Sequence, residues 1–180
     1  MRSTVVVGYD RSLPSGWAVL EAGREAVSRG ADVTVIHAYW RPATSEDTVH
    51  EAATATAAFG AAILRRHHPE LTVRSQAAPG DPHDVLATAA RSADLLVMGA
   101  RGDGGFAEQS LGSATIRTLA RTPCPAMVVR NPQRSARGIV LAAVDLTDPT
   151  EDVLNFAFAE ARRRTALLRV ISAHDLTEIR

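Results

Sequence analysis

The sequence predicts an α/β fold: an open parallel sheet with helices on both faces. Two observations carry this. Short runs rich in Val, Ile and Leu alternate with longer segments of helical periodicity, and strands that alternate with helices pair in parallel through right-handed crossovers. One such run, Leu95 to Met98, opens into a glycine loop that closes on a helix start at Gly112-Ser113-Ala114-Thr115.

Residues 4–8 form a short, Val-rich buried strand. Residues 15–29 are helical, with Trp17, Leu20, Ala22 and Ala26 sharing much of one face, and Gly30 stands where a helix stops. Residues 32–38 are the second strand. Residues 45–67 are alanine-rich and read as a long helix, capped by Thr44 or Ser45, with Glu46, Asp47 and Glu51 near the positive end of its dipole. Residues 71–77 alternate and form a strand. Asp81-Pro82 is a cap followed by proline at the first helical position, and that helix runs to about residue 91. Residues 94–98 are the fourth strand, residues 113–120 the fourth helix, and residues 126–129 the fifth strand, an apolar edge open to pairing unless Arg130 and Pro132 protect it.

At 180 residues the chain holds one full domain and part of another. Its 46% hydrophobic and 22% charged content is that of a soluble globular protein. The formal net charge of zero gives no electrostatic reason to expect nucleic acid or an acidic membrane as partner. All 20 basic residues are Arg. No apolar run approaches the ~20 residues of a membrane span, no signal peptide precedes the first strand, and a single Cys excludes an internal disulfide. These features point to a cytoplasmic protein.

The glycine loop is the main chemical signal. Glycine lets peptide N–H groups approach an anion with no Cβ in the way, and a helix start adds partial positive charge, so strand, glycine loop and helix together build a phosphate cradle. The spacing is neither of the two common nucleotide fingerprints: the Walker lysine is missing, and so is the tight G-x-G-x-x-G. Gly99, Gly102, Gly112 and the Ser113 hydroxyl are the candidate phosphate contacts, and Ala114 belongs to the same helix start. Arg101 sits inside the loop and either meets phosphate or is a solvated loop charge. In parallel sheets ligands lie beyond the carboxyl ends of strands, near a switch in strand order. Asp10 follows the first strand and Ala38 ends the second, so three loops converge on one crevice. Two roles are open to Asp10: hydrogen bonding to adenine or ribose, or holding magnesium with Ser12; and capping or an Asx turn before the first helix. Ala38 presents its backbone to a base. Met98 lines the crevice floor or is simple core. Cys124, between two prolines, reads as structural. The six His residues form no spaced ligand set: His67-His68 reads as a helix C-cap, His37 as a core or edge residue, and His83 and His174 as isolated. No metal site of protein ligands is expected.

Gly99-x2-Gly102-x9-Gly112-Ser113 resembles the nucleotide-binding signature of the universal stress protein family, in its ATP-binding branch. Val5-Val6-Val7-Gly8-Tyr9-Asp10-Arg11-Ser12 is similar to that family's first strand and Asp-x-Ser turn. Gly80-Asp81-Pro82 is similar to its turn into the third helix, and Pro123-Cys124-Pro125-Ala126-Met127-Val128-Val129 to its last strand. The ordered set covers roughly residues 3 to 130. The resemblance implies strand order 3-2-1-4-5, an adenine nucleotide alpha hydrolase-like fold, and ATP, with any magnesium arriving on its phosphates. It places Asp10 on the adenine side. The site it implies joins Gly8, Asp10, Ser12, Ala38 and Met98 to Gly99, Arg101, Gly102, Gly112, Ser113 and Ala114. It further implies a stress-response module of tandem type with a truncated second repeat, in which residues 126–129 mediate dimerisation or pair the two halves of a tandem chain. A slow ATPase, and a dimerisation module without nucleotide, are the alternatives. No carboxylate or Gln near the loop has a clear water-positioning role except Asp10, Asp103 and Glu108, and the chain has no Lys.

Residues 131–138 read as a polar, Arg-rich linker between a domain at 1–132 and a second segment at 138–180. That segment repeats the first. Asp10 corresponds to Asp145, an offset of 135 positions, and the same offset maps Val35-Ile36-His37-Ala38 onto Val170-Ile171-Ser172-Ala173 and Glu25-Ala26 onto Glu160-Ala161. Residues 139 to 175 are therefore expected to form a strand-helix-strand, a partial second copy without a glycine loop. Such a fragment cannot bury both faces of its sheet alone. It is expected to pack on the first copy or to pair with another chain.

Overall fold

A computed structural model describes residues 3–40, 46–102, 111–130, 138–145 and 151–172. The expected caps at Thr44 and Ser45, the loop carboxylates Asp103 and Glu108, most of the linker, and Ala173 and His174 lie outside those residues. The chain divides into two compact units, Met1–Pro132 and Gln133–Arg180.

The first unit runs β1 (Thr4–Gly8), α1 (Leu13–Arg29), β2 (Asp32–Tyr39), α2 (Glu46–His67), β3 (Val73–Pro79), α3 (Pro82–Ala89), a 3₁₀ turn (Ala90–Ser92), β4 (Leu95–Gly99), α4 (Ser113–Leu119) and β5 (Ala126–Val129). All the strand pairs are parallel, in the order β3-β2-β1-β4-β5. The chain moves outward from β1 to β2 and β3, then returns past β1 to β4 and β5. The switch in strand order therefore falls between β1 and β4, where the glycine loop begins.

Each face of the sheet has its own core. Val5, Val7, Val33, Val35, Leu95 and Val97 pack with Ala18, Val19 and Ala22 of α1 and Leu64 of α2. Val6, Ile36, Leu96 and Met98 pack with Val85 and Leu86 of α3 and Leu119 of α4. With consecutive valines of β1 buried on opposite faces, its apolar run is explained by cover on both sides.

Several boundaries depart from the sequence expectation by one or two residues, and three of them are instructive. Helix α1 begins at Leu13 rather than residue 15, because the Ser12 side chain accepts from Ser15 N–H as N-cap and Pro14 fits the first turn. Strand β3 begins at Val73 rather than residue 71, because Leu71 closes the turn after α2, donating its N–H to the His68 carbonyl. Helix α3 ends at Ala89, and the 3₁₀ turn takes the remaining residues to Ser92. Strand β5 has the expected bounds.

The second unit contains β6 (Ile139–Val144), α5 (Glu151–Arg163) and β7 (Leu167–Ser172), with β6 and β7 parallel. Its backbone bonds match those of the first unit at the same offset. Ala166 N–H donates to Ala161 O at 2.8 Å, as Ala31 N–H does to Ala26 O at 2.9 Å. Thr165 (φ 49°) takes the left-handed conformation that Gly30 (φ 62°) takes in the first unit. Glu160 is buried and paired with Arg163 and Arg164, as Glu25 is buried and paired with Arg29.

Candidate functional site

A cleft of about 350 Å³ opens at the carboxyl edge of the first unit's sheet. Gly8, Tyr9 and Asp10 follow from β1, Ile36, His37 and Ala38 come from β2, and Met98, Gly99, Arg101 and Gly102 lead out of β4. Gly112, Ser113, Ala114, Thr115 and Thr118 close one side, and Pro82 and Leu86 of α3 another. Every candidate residue of the sequence reading lines this cleft except Ser12. Met98 does so while remaining part of the apolar core, so its two readings coexist.

Hydrogen bonds hold the walls. Ala100 N–H donates to Val129 O at 2.8 Å, continuing the β4–β5 ladder past Gly99. Gly112 N–H donates to Ala100 O at 2.8 Å and closes the base of the glycine loop. The Thr115 hydroxyl donates to Gly99 O at 3.1 Å, tying α4 to the end of β4. The first-turn amides of α4 have no intrahelical acceptor, as at every helix start. They sit beside the Ser113 hydroxyl at the cleft.

Asp10 forms an Asx turn. Its Oδ1 accepts from Ser12 N–H at 3.0 Å and from the Ser12 hydroxyl at 2.5 Å. The turn reading is thus realised, and Ser12 is committed to it and to the α1 cap, which accounts for its position outside the cleft lining. Arg11, inside this turn, has φ 69°, a conformation that costs a non-glycine residue roughly 1 kcal/mol. Its guanidinium lies 5.5 Å over the Phe59 ring, a contact worth about 0.5–1 kcal/mol that offsets part of the strain. Phe59 stacks in turn on Tyr9, with centroids 6.5 Å apart. Burial pushes the Tyr9 phenol above its ordinary value, the Arg11 guanidinium opposes the rise, and the Asp10 carboxylate adds to it.

Two of the three loop glycines also answer to contacts within the protein. A Cβ on Gly99 would lie 2.7 Å from Pro14 C and 2.9 Å from Pro14 O and Ser15 N, so Gly99 is required by the close approach of β4 to the start of α1. A Cβ on Gly102 would lie 2.6 Å from Asp10 Oδ2, so Gly102 lets the Asp10 carboxylate lie across the loop. A Cβ on Gly112 would meet nothing closer than 3.4 Å, and its φ is −74°. None of the three has a left-handed φ.

Sequence reasoning missed several lining residues. His37 was expected in the core or at an edge; its Nδ1 instead lies 2.8 Å from Tyr9 O at the cleft. Its place next to Ala38, at the carboxyl end of a strand, was the available signal. Pro82 and Leu86 line the cleft because the turn at Gly80-Asp81 starts α3 at that same edge. His83 is not isolated: its Nε2 is 3.5 Å from Asp84 Oδ2, and Asp84 also pairs with Arg121.

The universal stress protein family profile matches residues 1–130. A universal stress protein of Mycobacterium tuberculosis is 27% identical over 201 residues, covering 97% of this chain, which spans 65% of that relative's length. One from Thermus aquaticus is 32% identical over 145 residues, covering 72% of this chain and 100% of the relative. Among solved structures, a universal stress protein in complex with cAMP superposes with a TM-score of 0.59 at 27% identity, over 72% of this chain and 97% of the other. One from Archaeoglobus fulgidus superposes with a TM-score of 0.60 at 20% identity, over 72% and 99%, a likeness of fold.

Proposed function

The chain belongs to the universal stress protein family, and from that premise we propose that it is an adenine-nucleotide-binding regulatory module whose preferred ligand is ATP. The observation that carries this reading is the convergence of three strand ends, the base of the glycine loop and the α4 start on one cleft. Its lining is asymmetric in a way that suits a nucleotide. Ile36, Leu86 and Met98 offer apolar surface for a base and ribose. Arg101, the Ser113 hydroxyl and the backbone around Gly102 and Gly112 offer donors for phosphate. The similar structure solved with cAMP supports a nucleotide as ligand.

Magnesium fits only as a passenger on the phosphates. Among the described residues Asp10 is the carboxylate of the cleft lining, and its Oδ1 already accepts twice from Ser12. The Ser12 hydroxyl in turn caps α1. Neither is arranged as a free donor pair, so the ion would keep its waters and phosphate oxygens, as Mg²⁺ prefers. What Asp10 itself does in this reading is meet the base or ribose.

Residues 138–180 are read as a partial second copy that carries no nucleotide site, and β5 or that copy as the surface through which two chains pair. No described helix is long and apolar enough to cross a membrane, in keeping with a cytoplasmic module. The test is native mass spectrometry of gently purified protein, followed by calorimetric titration with ATP, ADP, AMP and cAMP. One adenine nucleotide per chain is expected. No binding of any of the four, or two nucleotides per chain, refutes the reading.

A further inference from the structure

We propose that His37 is a positioning residue for the base: its ring ends the β1–β2 ladder one bond early and so keeps the Ala38 peptide edge open to a ligand. The inference rests on the nucleotide reading above and assigns that site a residue whose side chain works through its neighbour.

The β1–β2 ladder runs in register from Thr4 and Asp32 to Gly8 and Ile36. Asp32 N–H donates to Ser3 O at one end, and Ile36 O accepts from Tyr9 N–H at the other. In a parallel pair alternate residues of a strand face a given neighbour. The even residues of β2 therefore turn their peptide groups toward β1. The odd ones face β3, as the bonds from Val33 N–H to Thr72 O and from Gly80 N–H to Tyr39 O require. Ala38 belongs to the even set. The next rung would run from Ala38 N–H to Tyr9 O.

Among the described residues that rung is not formed. The Tyr9 carbonyl is instead 2.8 Å from His37 Nδ1. A carbonyl only accepts, so Nδ1 carries a proton and donates it to Tyr9 O. Beyond Tyr9, β1 leaves the sheet through the Asp10 turn and offers Ala38 no further partner. The Ala38 N–H and C=O are left side by side at the lip of the cleft. One donor beside one acceptor matches the Watson–Crick edge of adenine, where N1 accepts and the N6 amine donates. Hypoxanthine carries a proton on N1 and an oxygen at C6, so it meets the same edge donor to donor and acceptor to acceptor. The His37–Tyr9 bond thereby becomes a determinant of base choice without touching the base.

Three variants and two readouts test this. His37→Asn can place an amide N–H near the Nδ1 position, whereas His37→Gln places it further out and His37→Val removes it. In ligand-free protein the Ala38 amide is expected to exchange its hydrogen rapidly in the wild type and the Asn variant, and about tenfold more slowly in the Val and Gln variants, where Tyr9 O recruits it. AMP affinity is expected to fall about tenfold in Val and Gln, the loss of one hydrogen bond, with the preference for AMP over IMP falling alongside and Asn restoring both. Affinity for inorganic triphosphate is expected to stay constant throughout. If the Val variant does not fold, the Asn and Gln pair carries the comparison. Equal AMP affinity and equal AMP-to-IMP preference in all folded variants overturns the assignment alone. A wild type that binds triphosphate but no AMP, or neither, overturns the nucleotide reading and the assignment with it.

Discussion

Substituting Gly99 by Ala separates two accounts of the glycine loop. If this glycine exists to let phosphate approach, the variant keeps its stability and loses ligand. The structure predicts the reverse order of effects. The new Cβ would lie 2.7 Å from Pro14 C, 2.9 Å from Pro14 O and 2.9 Å from Ser15 N, all backbone atoms of the α1 start. Backbone cannot rotate aside as a side-chain tip can, so β4 and α1 must separate by several tenths of an ångström. Overpacking of this kind costs typically 1–3 kcal/mol, and backbone contact on three atoms argues for about 2 kcal/mol or more. For a unit of the size of Met1–Pro132 that lowers Tm by roughly 7 °C, taking ~0.3 kcal/mol per degree from the usual unfolding entropy per residue. Gly112→Ser is the control. Its Cβ meets nothing closer than 3.4 Å, its backbone already has cap geometry (φ −74°, ψ 154°), and serine is a favoured N-cap. Its Tm is expected to stay within about 2 °C of wild type, a change of roughly half a kcal/mol. Differential scanning calorimetry reads both. A Gly99→Ala protein that melts with the wild type and has lost nucleotide affinity would refute the packing account.

Other perturbations follow from single contacts. Ser12→Ala removes the acceptor for Ser15 N–H and the donor to Asp10 Oδ1, and is expected to cost about 1 kcal/mol, seen as a lower urea midpoint with unchanged slope. Asp94 accepts from Thr4 N–H at 2.8 Å and from the Ser3 hydroxyl at 2.9 Å, and these bonds hold its carboxyl below its ordinary value. The stability it adds is therefore present above the unfolded pKa of about 3.9 and is lost as pH falls through the lower folded one; in acid titrations followed by circular dichroism, Asp94→Asn is expected to be less stable near neutrality and to converge on the wild type once the pH is below that folded pKa. In β5, Leu96 N–H donates to Pro125 O and Ala100 N–H to Val129 O, so the odd positions face β4 and Val128 turns its peptide outward. Val128→Pro is expected to spare the β4–β5 ladder and to turn a dimer paired through this edge into a monomer by analytical ultracentrifugation; an unchanged sedimentation profile of a dimeric wild type would exclude β5 as the interface.

Much of the first unit was legible because its signals are local. The run of β1, the Gly30 stop and the Asp81-Pro82 start each state a conformation in a few residues. The order of strands was not local, and came from resemblance to a family. The candidate site divides along the same line. Asp10, Ala38 and the glycines follow strand ends, so topology alone carries them to the carboxyl edge. Leu86 lies inside a helix, and nothing in its own neighbourhood distinguishes a wall of a cleft from a wall of a core; His37 had a signal only in its place beside Ala38. The reason for Gly99 was invisible for a related cause. Its constraint is the backbone of Pro14 and Ser15, remote in sequence, and no spacing rule reports a packing distance.

The second unit shows the same limit from the other side. Leu141 and Ile171 stand at the positions of Val6 and Ile36 under the common offset, on the same faces of strands paired in the same register. Val6 and Ile36 are 3% and 4% exposed, beneath α3, α4 and the flank of β4, whereas Leu141 and Ile171 are 57% and 45% exposed. The side chains are equally apolar and the local geometry is shared. In the first unit α3 and α4 pack on that face. Strand sequence states that a face is to be covered, and only the remainder of a sheet determines what covers it. The nucleotide cleft obeys the same logic. Its walls include the exit of β4 and the start of α4, which no described residue of the second unit supplies. The second unit repeats the buried Glu–Arg pair and the left-handed turn of the first because those features are made within a strand-helix-strand, whereas the cleft of the first unit is made between such motifs.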